Sequence, residues 1–392
     1  MTATDWNPDA WDAETDVYRE LDALRRTCPV SLGATRDGAA YYAALTHADV
    51  VAVTGDPRTF SSAERRLDDG TRRIPLEIDP PEHAQVRRVL QPYFRPDRLE
   101  ALRPVIERHA REMTSDLLAH GTTADYMDVA GPFPARVLCA LMNVPDEDWF
   151  RIKDWSMRSV TTAPVSDAER GDAGARLRDY VRDLVAERRV RPLPVEEDMT
   201  SGLLAARISD EPLDDDTVVG ALQLMLVAGH LTTTLSLGII VRRLAEDPAL
   251  QQRLRDEPTL VGDAIEEILR VEPAVVANSN PRTVTAPVEL GGLQLQPGDR
   301  VLPVWGAANR DETRFEDADQ IVLGRGRSAN VTFGRGIHLC IGAPVARLEM
   351  TIAVGALLDA TEHFGLGETV EERATWRQQG PTRLDLALVP RQ

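Results

Sequence analysis

Lysine is almost absent from this 392-residue chain: of 45 basic residues, Lys153 alone is lysine. So strong an arginine bias reads as high-GC coding preference rather than chemistry. Cysteine is also scarce. Cys28, Cys139 and Cys340 cannot form a paired framework, and a reducing, cytoplasmic compartment fits best. Positive charge is in deficit, with a formal net charge of −18. That argues against a general nucleic-acid binder and against binding to an anionic membrane surface. The first residues, MTATDWNPDAWDAETD, carry neither a basic stretch nor an apolar core, which predicts no signal peptide and no membrane anchor. Linker-like stretches, internal repeats and low-complexity tracts are missing too. One large domain over residues 1–392 is therefore expected, and 43% hydrophobic content is ample for its core.

What is present is mostly helical periodicity. Helices are expected over residues 16–27, 48–54, 97–119, 133–141, 146–160 and 168–189, with a further one starting after Pro80 and Pro81. In that last helix His83 and Arg87 are four apart and share a face. Residues 41–45 read as strand, and residues 65–75 as a polar, arginine-rich loop. From residue 214 to 247 runs the longest apolar stretch. Gln223, His230, three threonines and two glycines at its centre favour a buried helix of about thirty residues over a membrane span. A helix over 259–271 follows, then short strands turning at Gly291-Gly292 and Pro297-Gly298, and a final strand pair near 384–388. The fold class is mainly α with a minor β portion.

FGRGIHLCIG, residues 333–342, sets a cysteine in a loop of small residues directly before an apolar helix. Glycines free the backbone N–H groups to point at the sulfur. The following helix, with Pro344 suited to its first turn, offers its positive end. Such a setting lowers a thiol's pKa and makes Cys340 a soft, electron-rich metal ligand. Taken alone, a small buried thiol ahead of a helix is the competing account.

The wider pattern resembles the cytochrome P450 family of haem-thiolate monooxygenases over nearly the whole chain. Phe333, Gly334, Gly336, His338, Cys340 and Gly342 match every fixed position of the family's F-G-x-G-x-H-x-C-x-G loop. Glu267 and Arg270 match its E-x-x-R helix pair, AGHLTT (228–233) its oxygen-activating stretch, and EHAQVRR (82–88) its propionate-reaching helix. The resemblance implies a P450-like domain with the long central helix over haem b (iron protoporphyrin IX), and Cys340 as the metal ligand. Phe333, Gly334 and Gly342 would surround the sulfur. His83, Arg87, Arg282 and His338 would partner the haem carboxylates. Ala228 and Gly229, being small, would let the helix pass close over the porphyrin, and Thr232 would bond back to Ala228 or release it to water, opening a local bulge in the helix, with its hydroxyl as the proton relay.

Two positions depart from the family. Leu231 replaces the acid that usually precedes the threonine, so protons must come through water, His230 or a polar group of the substrate; a purely structural His230 is the other reading. Gln320 stands where Arg or His commonly completes the E-x-x-R network. The resemblance further implies electrons from NAD(P)H through a ferredoxin reductase and a small acidic ferredoxin, docking on Arg72, Arg73, Arg88, Arg335 and Arg347. The substrate pocket is expected from residues 65–75, 160–175, 275–280 and 376–381. Their apolar residues mixed with Asn278, Asn280, Gln378 and Gln379 favour a mid-sized, partly polar small molecule such as a natural-product intermediate. A haem-thiolate protein that binds ligands or gas without turnover is the alternative. A peroxide-driven enzyme lacks support, since no Arg-Pro pair sits in the central helix.

Overall fold

The computed structural model describes all residues except 1–14, 35–39, 64–71, 161–164, 209, 278–279, 373–374, 376 and 392. Parts of the expected pocket, including Asn278 and Trp376, lie outside the described residues. The expected helices form, and their starts follow from capping side chains. Asp16, Thr46, Asp198, Asp214 and Asp247 each accept a hydrogen bond from a first-turn N–H, and Ser166 with Glu169 closes a reciprocal capping box. The 24-residue helix Pro96–Ala119 packs against Ala343–Ala360, the helix that follows the cysteine loop. One large apolar cluster runs through these helices and the central segment.

The β portion is small. A five-stranded sheet has the order Val30–Ala34, Ala40–Ala44, Arg300–Pro303, Arg282–Val284, Phe60–Ser61. It brings Arg282 beside the segment that carries the cysteine loop. A second sheet pairs Thr361–Glu372 with Pro381–Pro390, and the latter with Thr123–Asp125. This confirms the final strand pair.

The central segment is not one continuous helix. It is two, Asp215–Ala228 and Leu231–Glu246, separated at Gly229 and His230. His230 has φ −130° and ψ −46°, outside helical values. Residues 215–246 are long and apolar enough to cross a membrane, but 67% of their most apolar window is buried within the protein. The stretch is a core element.

The Val261–Val271 helix carries the Glu267–Arg270 pair. Arg270 is 1% exposed, and its five hydrogen bonds run to Glu267 (twice, 2.9 Å), Asn309 O (2.7 Å), Ala318 O (2.6 Å) and Gln320 O (2.8 Å). Gln320 therefore joins through its backbone carbonyl, and its side chain is exposed. The second cation on Glu267 comes from Arg325, at 2.7 Å, a residue the sequence pattern did not single out. Asn309 in turn accepts from Val331 N–H (2.8 Å) and donates to Thr332 Oγ1 (2.9 Å), at the entry to the cysteine loop. Breaking this buried network leaves charges unpaired. Glu267→Gln should lower unfolding free energy by about 3–5 kcal/mol in denaturant titration, whereas Glu289→Gln on the surface should change it by less than about 0.5 kcal/mol.

Candidate active site

The cysteine loop is held by backbone geometry. Gly334 and Gly336 have φ +76° and +70°, which L side chains rarely adopt. A Cβ on Gly336 would lie 2.0 Å from the Thr54 carbonyl oxygen, so the loop presses against the end of the His47–Gly55 helix. Cys340 N–H donates to Phe333 O at 2.8 Å, closing the loop. The Gly342 and Ala343 N–H groups bond to the cysteine sulfur, as a helix start can. Arg347 stacks over the Phe333 ring at 4.3 Å.

The expectation of a lowered thiol pKa is corrected here. Burial pushes the Cys340 thiol up and outweighs the N–H groups and the charges of Arg87 and Arg347, which act downward. A bound metal cation would add the charge that this balance lacks. Cys340 nevertheless has accessible surface. A thiol that is enclosed by protein yet accessible lines a concavity.

Beside the loop, four nitrogen-rich side chains from three segments converge. His83 and His338 rings are 4.4 Å apart at 60°, and Nε2 of each is buried with no partner. Arg282 is 3% exposed and donates to Asn280 O at 3.0 Å. Arg87 reaches the Leu339 carbonyl. Among the described residues neither arginine makes an ion pair. Burial and mutual repulsion hold His83 down to about 4 and His338 to about 2, and burial lowers Arg282 to about 10. Unpaired buried cations and orphaned imidazole nitrogens are costly. They suit a group bearing two carboxylates, with Cys340 as the adjacent soft ligand, so the residues present fit haem.

The break in the central segment supplies the other wall. Ala228 is exposed and Gly229 and Thr232 are half-buried, although the flanking turns are buried. Thr232 Oγ1 is 3.4 Å from the Ala228 carbonyl, a weak bond that leaves the hydroxyl available. Gly229 also has a packing reason of its own: a Cβ there would strike Leu138 at 2.8 Å and Met225 O at 2.7 Å. Its smallness serves packing behind the helix. His230 points away from the accessible side, at 1% exposure, and its Nε2 also lacks a partner.

Other expectations need correction. Arg73 is tied to Glu77 and Arg347 to Glu266, and Arg72 lies 3.6 Å from Glu82. Of the five arginines read as a docking patch, only Arg88 and Arg335 are exposed and free of ion pairs among the described residues. Two of the four pocket amides, Asn280 and Gln379, are also committed. Asn280 donates to Ser62 O and Leu76 O, and Gln379 to Thr375 O. They satisfy backbone rather than facing a ligand, which removes them from the case for a polar substrate. A groove of about 960 Å³ lined by Arg98, Leu102, Tyr180 and Arg188 contains none of the residues above.

A thiol-bearing glycine loop, a cationic cluster and a broken core helix with a free threonine define a haem-thiolate protein. Residues 138–365 match the family model described as Cytochrome P450. The chain is 34% identical to the mycinamicin IV hydroxylase/epoxidase of Micromonospora griseorubida, over 92% of this chain and 93% of that one. It is also 34% identical to the erythromycin C-12 hydroxylase of Saccharopolyspora erythraea, over 91% and 90%. The solved LnmA cytochrome P450 hydroxylase from the leinamycin pathway of Streptomyces atroolivaceus superimposes with TM-score 0.83 at 33% identity, covering 94% of this chain and 95% of that one. This chain belongs to the cytochrome P450 family. It is a monooxygenase, and its cofactor is haem.

The loop geometry makes a direct prediction. Gly336→Ala meets both a positive φ and a backbone carbonyl, so it should cost about 3 kcal/mol or more. Gly355→Ala, in open space on a helix, should be neutral or slightly stabilising in the same thermal unfolding measurement.

Proposed function

We propose that the chain hydroxylates or epoxidises a mid-sized natural-product scaffold, with Cys340 as the iron ligand. The observation that carries this is the convergence of the unpaired His83, Arg87, Arg282 and His338 beside the cysteine loop, in a chain whose relatives are named hydroxylases and epoxidases of natural-product pathways. Haem bound there supplies dioxygen activation, for which electron density from a thiolate ligand is favourable. The protein's own residues do the rest. His83, Arg87, Arg282 and His338 bind the two carboxylates and orient the ring. Gly342 and Ala343 N–H groups hold charge on the sulfur. Thr232 holds and passes protons at its hydroxyl on the accessible side of the helix break. The Ala274–Ala277 stretch and the 377–381 turn are zipped together by Val276 N–H to Arg377 O (2.9 Å) and Gln379 N–H to Ala274 O (3.0 Å). They act as one unit against a substrate.

Electrons come from an acidic ferredoxin at the face bearing Arg88, Arg335 and the exposed Leu339, fed by a ferredoxin reductase. Two exposed cations without ion pairs among the described residues, and an exposed leucine, suit a small acidic partner despite the net negative charge. With ferredoxin, reductase, NAD(P)H and ¹⁸O₂, a scaffold that shifts the haem spectrum should gain one labelled oxygen. Failure of every such scaffold to gain label would contradict the reading. Arg88→Glu with Arg335→Glu should cut ferredoxin-driven turnover about tenfold and flatten its salt dependence. Unchanged turnover would move the docking face elsewhere.

A further inference from the structure

Nine large apolar side chains are exposed among the described residues, and three of them, Val190 (81%), Leu193 (39%) and Val195 (43%), fall within six positions. They lie in the strap R-V-R-P-L-P-V-E-E, residues 189–197, which is exposed at every position and joins the Asp167–Val190 and Met199–Ala205 helices. The strap is not loose. Tyr93 Oη donates to the Val195 carbonyl, and to Asp198 O at 3.2 Å. Arg98 and Asn143 donate to Glu197 O at 2.7 and 2.6 Å, and Leu193 N–H donates to Ser201 Oγ at 3.0 Å. Gly202 makes room for the tyrosine, since an added Cβ would lie 1.8 Å from its hydroxyl. Pro192 and Pro194 stiffen the stretch further. Four side chains from four parts of the chain thus hold a backbone whose apolar side chains face water. A clustered apolar patch on a backbone fixed in advance is the mark of an interaction surface.

Beside the strap lies the groove of about 960 Å³, which Leu193, Pro194 and Glu197 help to line. Leu102, Val105, Ala140 and Val144 give it further apolar surface. Its arginines are committed: Arg151 pairs with Asp148, Arg188 with Glu187 and Asp198, and Arg98 with the Glu197 carbonyl. Asp183 and the Glu197 carboxylate also line the groove and make no ion pair among the described residues. An apolar occupant that carries a cation therefore fits. The strap has that chemistry. The Arg191 side chain, between Val190 and Leu193, is 78% exposed and 3.8 Å from Glu187, too far for a hydrogen bond. Because the strap forms part of its own groove's lining, it cannot fill that groove itself. A two-fold contact, in which the same patch meets itself, lets each copy supply what the other's groove lacks.

We propose that this corner is a homodimer interface, with the strap of each copy crossing the groove of the other. Val190, Leu193 and Val195 cover the apolar lining, and Arg191 faces Asp183 and Glu197 of the partner subunit. Phe150, exposed in the first turn of the helix that brings Arg151 to the groove, extends the apolar area towards the roughly 800 Å² per partner of a standard interface. A second copy is the occupant because both halves of the complementarity lie on one surface. The interface shares no residue with the cysteine loop or the cationic cluster, so it stands apart from the monooxygenase reading.

Sedimentation of the holoprotein over a concentration series tests it. The wild type should pass from monomer to dimer mass as concentration rises. Leu193→Glu with Val195→Glu should weaken the dimer about tenfold or more. Leu366→Glu with Val370→Glu, a matched exposed pair on the Thr361–Glu372 strand, should leave it unchanged. Arg191→Glu and Asp183→Arg should each weaken the dimer, and the two in one chain should restore it, because every copy then meets the exchanged charge. A wild type that stays monomeric throughout overturns the proposal, even if the strap then binds a different protein. So does a dimer indifferent to the strap substitutions, or a charge exchange that restores nothing.

Discussion

The Arg270 guanidinium is the constraint on which the site depends. A buried cation must have all its donors satisfied, and here they are spread over Glu267 and three backbone carbonyls of the irregular run that leads to the cysteine loop. Each carbonyl so fixed removes freedom from a segment with little secondary structure of its own. Asn309, whose carbonyl is one of the three, also grips Val331 and Thr332. A helix of 11 residues thus sets where Phe333 and Cys340 stand.

The opposite electrostatic choice is made beside the loop. There the charges are left unbalanced: two arginines and two imidazoles crowd together with no ion pair among the described residues, and Asp79 acts on His83 and Arg282 only through its charge at a distance. The cluster destabilises the protein until a dianionic ligand arrives, so cofactor binding and folding stability are linked. The same logic applies to the thiol, whose pKa burial raises and a cation beside it would lower. The site is poised for a group that brings both a metal and two carboxylates.

Much of this was legible in sequence because the family's motifs are local. The cysteine loop, the E-x-x-R helix and the helix carrying His83 and Arg87 each sit within a few residues, and periodicity placed most helices to within two residues. What was not legible depends on distant pairing. AGHLTT allows a local bulge where Thr232 can release the Ala228 carbonyl, but the full break at Gly229 and His230 and the Leu138 side chain packed against Gly229 are not visible in it. Arg325 takes up Glu267 from an irregular loop without a motif. Asn280 and Gln379 read as pocket amides because their type is visible in sequence, whereas the carbonyls they satisfy are not.

The most direct test of the account is the carbon monoxide difference spectrum of the reduced protein, compared between wild type and Cys340→Ala. The account predicts a thiolate-type, red-shifted Soret band in the wild type and its loss in the variant. A wild-type protein without that band, or a variant that keeps it, would contradict Cys340 as the ligand around which the rest is arranged.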